Sequence, residues 1–92
     1  MTTSDEAKRD DLPGIDFSTL VLSLATSAMV HLGVVPESEG GSPEKNLPLA
    51  QQTIDTLELL QEKTRGNLTD DETKLLQSVL YELRMSYVKA RG

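Results

Sequence analysis

Cysteine is absent from the sequence, which excludes disulfide staples, thiol nucleophiles and cysteine-ligated metals. Tryptophan is absent too, and with one Phe and two Tyr any core must be filled by Leu, Val, Ile, Ala and Met. A single histidine, His31, leaves no histidine metal site to assemble and only one conventional general base near neutral pH. His31 falls in the last turn of a predicted helix, where a cation complements the helix dipole, so a local structural role accounts for it. Positive charge is in deficit: nine Lys and Arg face fifteen Asp and Glu, a formal net charge of −6. Such a chain, with no concentrated basic face, is repelled by nucleic-acid phosphates and by anionic membrane surfaces, so neither is expected as a partner. The acidic excess lies in residues 1–16, 36–45 and 46–66, whereas 67–92 carries four acids and four bases. The lack of cysteine is compatible with a reducing cytoplasm, the expected location.

The usual signatures of chemistry are missing as well. No Ser sits in a Gly-x-Ser-x-Gly turn, and no Ser/His/Asp set can be assembled. Gly40-Gly41 lacks the following Lys-Ser/Thr of a phosphate loop. Glu58 and Glu62 share a helical face, but the Glu-x-x-His that completes a carboxylate metal site in helical bundles is absent, and a solvated face explains them. Asp70, Asp71 and Glu72 are accounted for by capping and dipole terms at a helix start. Asn67-Leu68-Thr69 matches a glycosylation sequon, but it falls on that same cap and no secretory signal accompanies it. The expectation is therefore a non-enzymatic protein with no catalytic residue, no cofactor and no metal.

What the chain does contain is helical pattern, with room for one domain in 92 residues. Residues 1–15 are polar and charged, closed by Pro13 and Gly14, and read as a disordered acidic tail. A single helical domain follows over 16–92. From Phe17 to Val35 nineteen residues pass without Asp, Glu, Lys or Arg; twelve are apolar and five are Ser or Thr. Asp16 is a good N-cap, Gly33 a good C′ residue and Pro36 a stop, which predicts a helix over about 17–32. Its apolar residues cover most of the circumference, leaving a narrow stripe of Thr19, Ser23, Thr26 and Ser27. A helix apolar nearly all round must be covered nearly all round, by its own chain and by a second copy. The stripe then either faces solvent or lets another helix approach closely. A transmembrane helix would be at the short limit, with Asp16 and Glu37 at its ends and no flanking Lys/Arg or aromatic anchors. A signal peptide is opposed by Asp5, Glu6, Asp10, Asp11 and Asp16 in what would be its basic region.

Residues 36–45, PESEGGSPEK, have the composition of a flexible loop. The second helix is predicted from Leu47 or Pro48 behind an Asn46 cap, with Ala50, Ile54, Leu57 and Leu60 at core spacing and Gly66 beyond its end. The third follows Thr69-Asp70-Asp71-Glu72, a capping box, with Leu76, Val79, Leu80, Leu83, Tyr87 and Ala90 as its core stripe. The short link from Arg65 to Leu68 implies an antiparallel αα-hairpin of helices two and three. Helix three carries a second stripe, Tyr81, Met85 and Val88, at i, i+4, i+7. With Arg84 this is either an outward patch with the residue types of an interaction hot spot, or rings and an arginine stem packed over the first helix.

The stretches SLATSAMVHLG, IDTLELLQEKTRGNLTDDE and LLQSVLYELRMSYV carry a further signal. Through Gly33, Ile54, Asp55, Leu57, Lys63, Thr64, Gly66, Asn67, Leu68, Thr69, Glu72, Leu80, Tyr81, Glu82, Leu83, Arg84, Tyr87 and Val88, the chain over about 17–90 resembles a family of small uncharacterised bacterial proteins known as a domain of unknown function. The resemblance implies a self-contained bacterial unit and brings no activity, ligand or catalytic residue with it.

The expectation is thus an all-α protein in which apolar helix one packs on a hairpin of helices two and three, closed as a homodimer. It would act as a self-associating interaction or assembly module, with room for an unidentified protein partner. Its expected interface is Phe17, Leu20, Leu24 and Ala28 on helix one with Tyr81, Arg84, Met85 and Val88 on helix three. The alternative is a small membrane-associated protein using helix 17–32.

Overall fold

The computed structural model describes residues 15–36, 40–41 and 44–92. The expected tail over 1–15, except Ile15, and the middle of the expected loop over 36–45 lie outside the described residues. Three helices make up the described fold: α1 (Phe17–His31), α2 (Leu47–Lys63) and α3 (Asp70–Arg91). No strand occurs among the described residues, and each helix packs against both of the others.

Local chemistry sets the helix ends. The first N–H groups of a helix lack partners within it, and side chains at the N-cap supply them. At α1, Asp16 accepts from the Thr19 N–H at 2.8 Å. At α2, Asn46 accepts from the Leu49 N–H at 3.2 Å, and Pro48 occupies the first turn, where a missing donor costs least. At α3 the box closes in both directions: the Glu72 N–H donates to Thr69 Oγ1 at 3.1 Å, and the Thr69 N–H donates to Glu72 Oε1 at 2.9 Å.

The end of α1 is a Schellman turn. The Gly33 N–H donates to the Val30 carbonyl and the Val34 N–H to the Met29 carbonyl, both at 3.0 Å, with Gly33 at φ +78. Leu32 and Lys45 then form an isolated antiparallel bridge, and the Asn46 N–H donates to the His31 carbonyl at 2.6 Å. The start of α2 is thereby fixed beside the end of α1, and α2 packs back onto α1 of the same chain.

Nine residues form the buried core: Val21, Ala28 and Leu32 from α1 and its cap, Ala50, Ile54 and Leu57 from α2, and Leu76, Leu80 and Leu83 from α3. Phe17, Leu24, Leu60, Val79, Tyr87 and Ala90 pack partly buried around it. Among the described residues no polar or charged side chain is buried, so the interior contains nothing that needs a hydrogen-bond partner. Each fully covered Leu contributes roughly 1.5–3 kcal/mol of transfer free energy, offset by the conformational entropy of ordering the chain. A core this small is of the kind that leaves a net of only about 3–5 kcal/mol.

The hydroxyl stripe of α1 is turned partly to solvent. Ser23 and Thr26 are exposed and Thr19 half-buried, on the side opposite Val21 and Ala28. Thr26 Oγ1 donates to the Leu22 carbonyl at 2.9 Å, which satisfies the hydroxyl locally and leaves no call on a neighbouring helix. Ser27, the fourth member of the stripe, is half-buried like Thr19.

Candidate interaction surface

The eight residues expected at an interface divide sharply by helix. On α1, Ala28 is completely covered by its own chain, and Phe17 and Leu24 are half-buried against the core. Ala28 therefore offers no surface to a partner, a correction that follows from its position facing α2 and α3. Leu20 remains 39% exposed, and Leu22, at 50%, stands on the other side of the hydroxyl stripe, so the two do not join into one patch. Most of the apolar girth of α1 is thus occupied within the chain.

On α3 the surplus is outside. Tyr81, Met85 and Val88 are 61%, 49% and 54% exposed, whereas Leu76, Leu80 and Leu83 of the same helix are at 1% or less. At about 100° per residue Met85 lies opposite the core row, with Tyr81 and Val88 to one side of it. Its own chain covers the outward row only in part.

Arg84 is exposed and reaches across to α2 instead of lying over α1. Its Nε and Nη2 both donate to Glu58 Oε2 of α2, at 3.2 and 2.7 Å. This is the one ion pair among the described residues, and both side chains are about half exposed, so its contribution lies in the 0–1 kcal/mol range of surface pairs. The pairing of Glu58 also separates it from Glu62, which stays exposed at the next turn. No signal short of the tertiary fold could have joined positions 58 and 84.

A second tie that sequence reasoning missed is Lys45, whose Nζ donates to the Ala90 carbonyl at 3.0 Å. That carbonyl belongs to the last turn of α3, where four acceptors lack helical partners and a cation is favoured. His31 stays local, with Nε2 3.5 Å from Ser27 Oγ in the same helix. Among the described residues no three His, Asp or Glu side chains gather as a metal site would require.

Surface hollows among the described residues accompany these features. One of about 370 Å3 lies where the α2–α3 link folds along α3, lined by Gln61, Arg65, Leu68 and Gln77 among others. A second, also about 370 Å3, lies between the α1 cap and the end of α3, with Lys45 and Lys89 at its rim. The third, about 240 Å3, runs between α2 and α3 and holds Gln51, Glu58, Arg84, Val88 and Arg91. Val88 belongs both to this groove and to the outward row, so the two are continuous.

Comparison with known proteins adds the lineage. The family model described as Domain of unknown function (DUF1844) matches residues 14–89, most of the chain. The chain belongs to that family. No curated protein and no solved structure matches it. The match takes in the first two helices, the capping sequences and α3 as far as Lys89, so the family is defined over the same unit that forms the core.

No helix among the described residues is long and apolar enough to cross a membrane. Insertion of 17–32 would also require Val21, Ala28 and Leu32 to leave a core in which they are at most 2% exposed. The membrane alternative is accordingly not carried forward.

Proposed function

We propose that this domain is a non-enzymatic interaction module that self-associates as a homodimer through the outer side of a helical hairpin. The observation that carries the reading is the outward row Tyr81, Met85 and Val88, each about half exposed on the side of α3 turned away from the core. Single exposed apolar side chains are ordinary, but three in register on one helix, with an arginine between them, have the composition of interface centres. In this reading α2 and α3 form the antiparallel hairpin that presents the row. Support comes from the order of their contacts: Gln51 shares a groove with Arg91, Glu58 meets Arg84, and Gln61 shares a hollow with Gln77. Numbers rise along α2 as they fall along α3.

The need for a second copy therefore rests on α3 and not on the apolar circumference of α1, which its own chain largely covers. A small core gains from association, because folding and dimerisation are then linked. Light scattering on untagged full-length protein over a wide concentration range tests the reading. A mass near twice 10.1 kDa at the higher concentrations is expected, falling towards the single-chain value on dilution. A single-chain mass throughout would remove it.

A further inference from the structure

We propose that Met85 is an oxidation site that governs self-association: oxygen transfer to its thioether releases the second copy from the outer side of α3, and reduction of the sulfoxide restores the pair. The inference rests on the self-association reading above and adds its regulation. The chain has no cysteine and no tryptophan, so its three methionine thioethers are the side chains most open to a two-electron oxidant such as hydrogen peroxide. Met1 lies outside the described residues. The other two have contrasting surroundings. Met29 of α1 is half-buried and packs against the core. Met85 is 49% exposed and lies on α3 opposite the core leucines Leu76, Leu80 and Leu83. Tyr81 and Val88 stand about one turn to either side of it along the helix, so Met85 is the middle member of the outward row.

The chemistry is a single oxygen transfer. The thioether sulfur attacks one peroxide oxygen, an S–O bond forms as the O–O bond breaks, the sulfur gives up two electrons, and the other oxygen leaves as water. The product is a polar sulfoxide in place of a flexible apolar side chain. Within one chain the sulfoxide stays in water, and the core does not include position 85, so the fold is spared. Between two copies it must give up that water to enter an apolar contact. This weakens the pair by about tenfold for each sulfoxide, and by about a hundredfold for two oxidised copies. The coupling is reciprocal, because a pair that excludes the sulfoxide also covers the thioether, and peroxide then reaches Met85 in the single chain. Methionine sulfoxide reductases close the cycle by oxidising a dithiol to a disulfide and releasing the oxygen as water.

The test uses untagged full-length protein and hydrogen peroxide, with the sulfoxide at each methionine read by peptide mass spectrometry and association by light scattering. At concentrations where most chains are single, Met85 should oxidise well before Met29. Where most are paired, its oxidation relative to added free methionine should slow in proportion to the fraction of single chains. Protein oxidised at Met85 should associate about a hundredfold more weakly, with unchanged helical circular dichroism, and reductases supplied with a dithiol should reverse the loss. Met85→Leu keeps the size and apolar character and should associate as wild type does with or without peroxide. Met85→Gln puts a polar side chain of similar helix propensity there and should associate weakly with no peroxide added. If the wild-type protein pairs and full oxidation of Met85 leaves its association unchanged, or peroxide weakens Met85→Leu as much, the switch is overturned while self-association stands. If the wild-type protein is a single chain at every concentration, both fall together.

Discussion

Asp16 shows how one carboxylate can define a helix start and make it sensitive to acid. Its Oδ1 accepts from the Thr19 backbone, and that hydrogen bond is the main cause holding its pKa below that of an ordinary aspartate. The depressed value means that the ionised form is favoured in the folded state. The stabilisation is therefore fully present above the pKa of the unfolded chain and is lost as the pH falls through the folded one. Replacing Asp16 with Asn keeps a capping oxygen but removes the titration. The difference in melting temperature between wild type and Asp16→Asn should be constant near neutral pH and shrink below about pH 4. A carboxyl NMR titration of Asp16 should give a midpoint below the ordinary aspartate value, and an unshifted midpoint would contradict the cap. Arg84 and Glu58 behave differently, because their pair is exposed and depends on two helices meeting. Nothing within a few residues of either position announces it.

At the scale of helices the pattern was legible where the cause is local. Asp16, Gly33, Asn46 and the Thr69–Glu72 box mark ends in the sequence because capping involves residues three or four apart, and the structure uses each of them. The core stripes of α2 and α3 were legible for the same reason, through the helical repeat. The cover of α1 was not. Ten apolar side chains around one helix give no sharp direction, so the pattern indicated that cover was needed without indicating how much its own chain provides. The structure divides the circumference between a core side at Val21 and Ala28 and a solvent side at Ser23 and Thr26. The turn that follows yields a prediction at this scale. Gly33 has φ +78, and a Cβ added there would meet Lys45 at 3.6 Å, an ordinary contact. Any cost of Gly33→Ala is therefore a backbone cost, about 1–2 kcal/mol for a left-handed residue with a side chain. In a domain of this size that lowers the melting temperature by roughly 4–16 °C. Gly33→Asn should lose less, since Asn tolerates this conformation better. Equal losses for the two variants would point to crowding at Lys45 instead.

For the molecule as a whole, two neighbouring residues of α3 separate folding from association. Leu80 is fully buried among the three helices, while Tyr81, the next residue and about 100° further round the helix, is 61% exposed. Leu80→Ala removes buried methyl groups and leaves a cavity, a loss of about 2–5 kcal/mol. That is comparable with the whole stability available to a core of this size, so the variant should lose helical circular dichroism near 37 °C. Tyr81→Ser alters a surface position and should change the stability of the single chain by no more than about 0.5 kcal/mol. Its effect should appear in the dependence on concentration. For a folded dimer, each tenfold rise in protein concentration is worth about 1.4 kcal/mol per dimer, and the melting temperature climbs accordingly. Wild-type melts recorded over a hundredfold range should therefore shift upward, while those of Tyr81→Ser should coincide over the same range. The opposite result, a folded Tyr81→Ser protein whose melting temperature still rises with concentration as steeply as wild type, would place the contact between copies away from the outer side of α3. On the self-association reading the small core and the outward row are two parts of one arrangement, in which the interior fixes the fold and contact through the outer side of α3 would add the stability that the interior lacks.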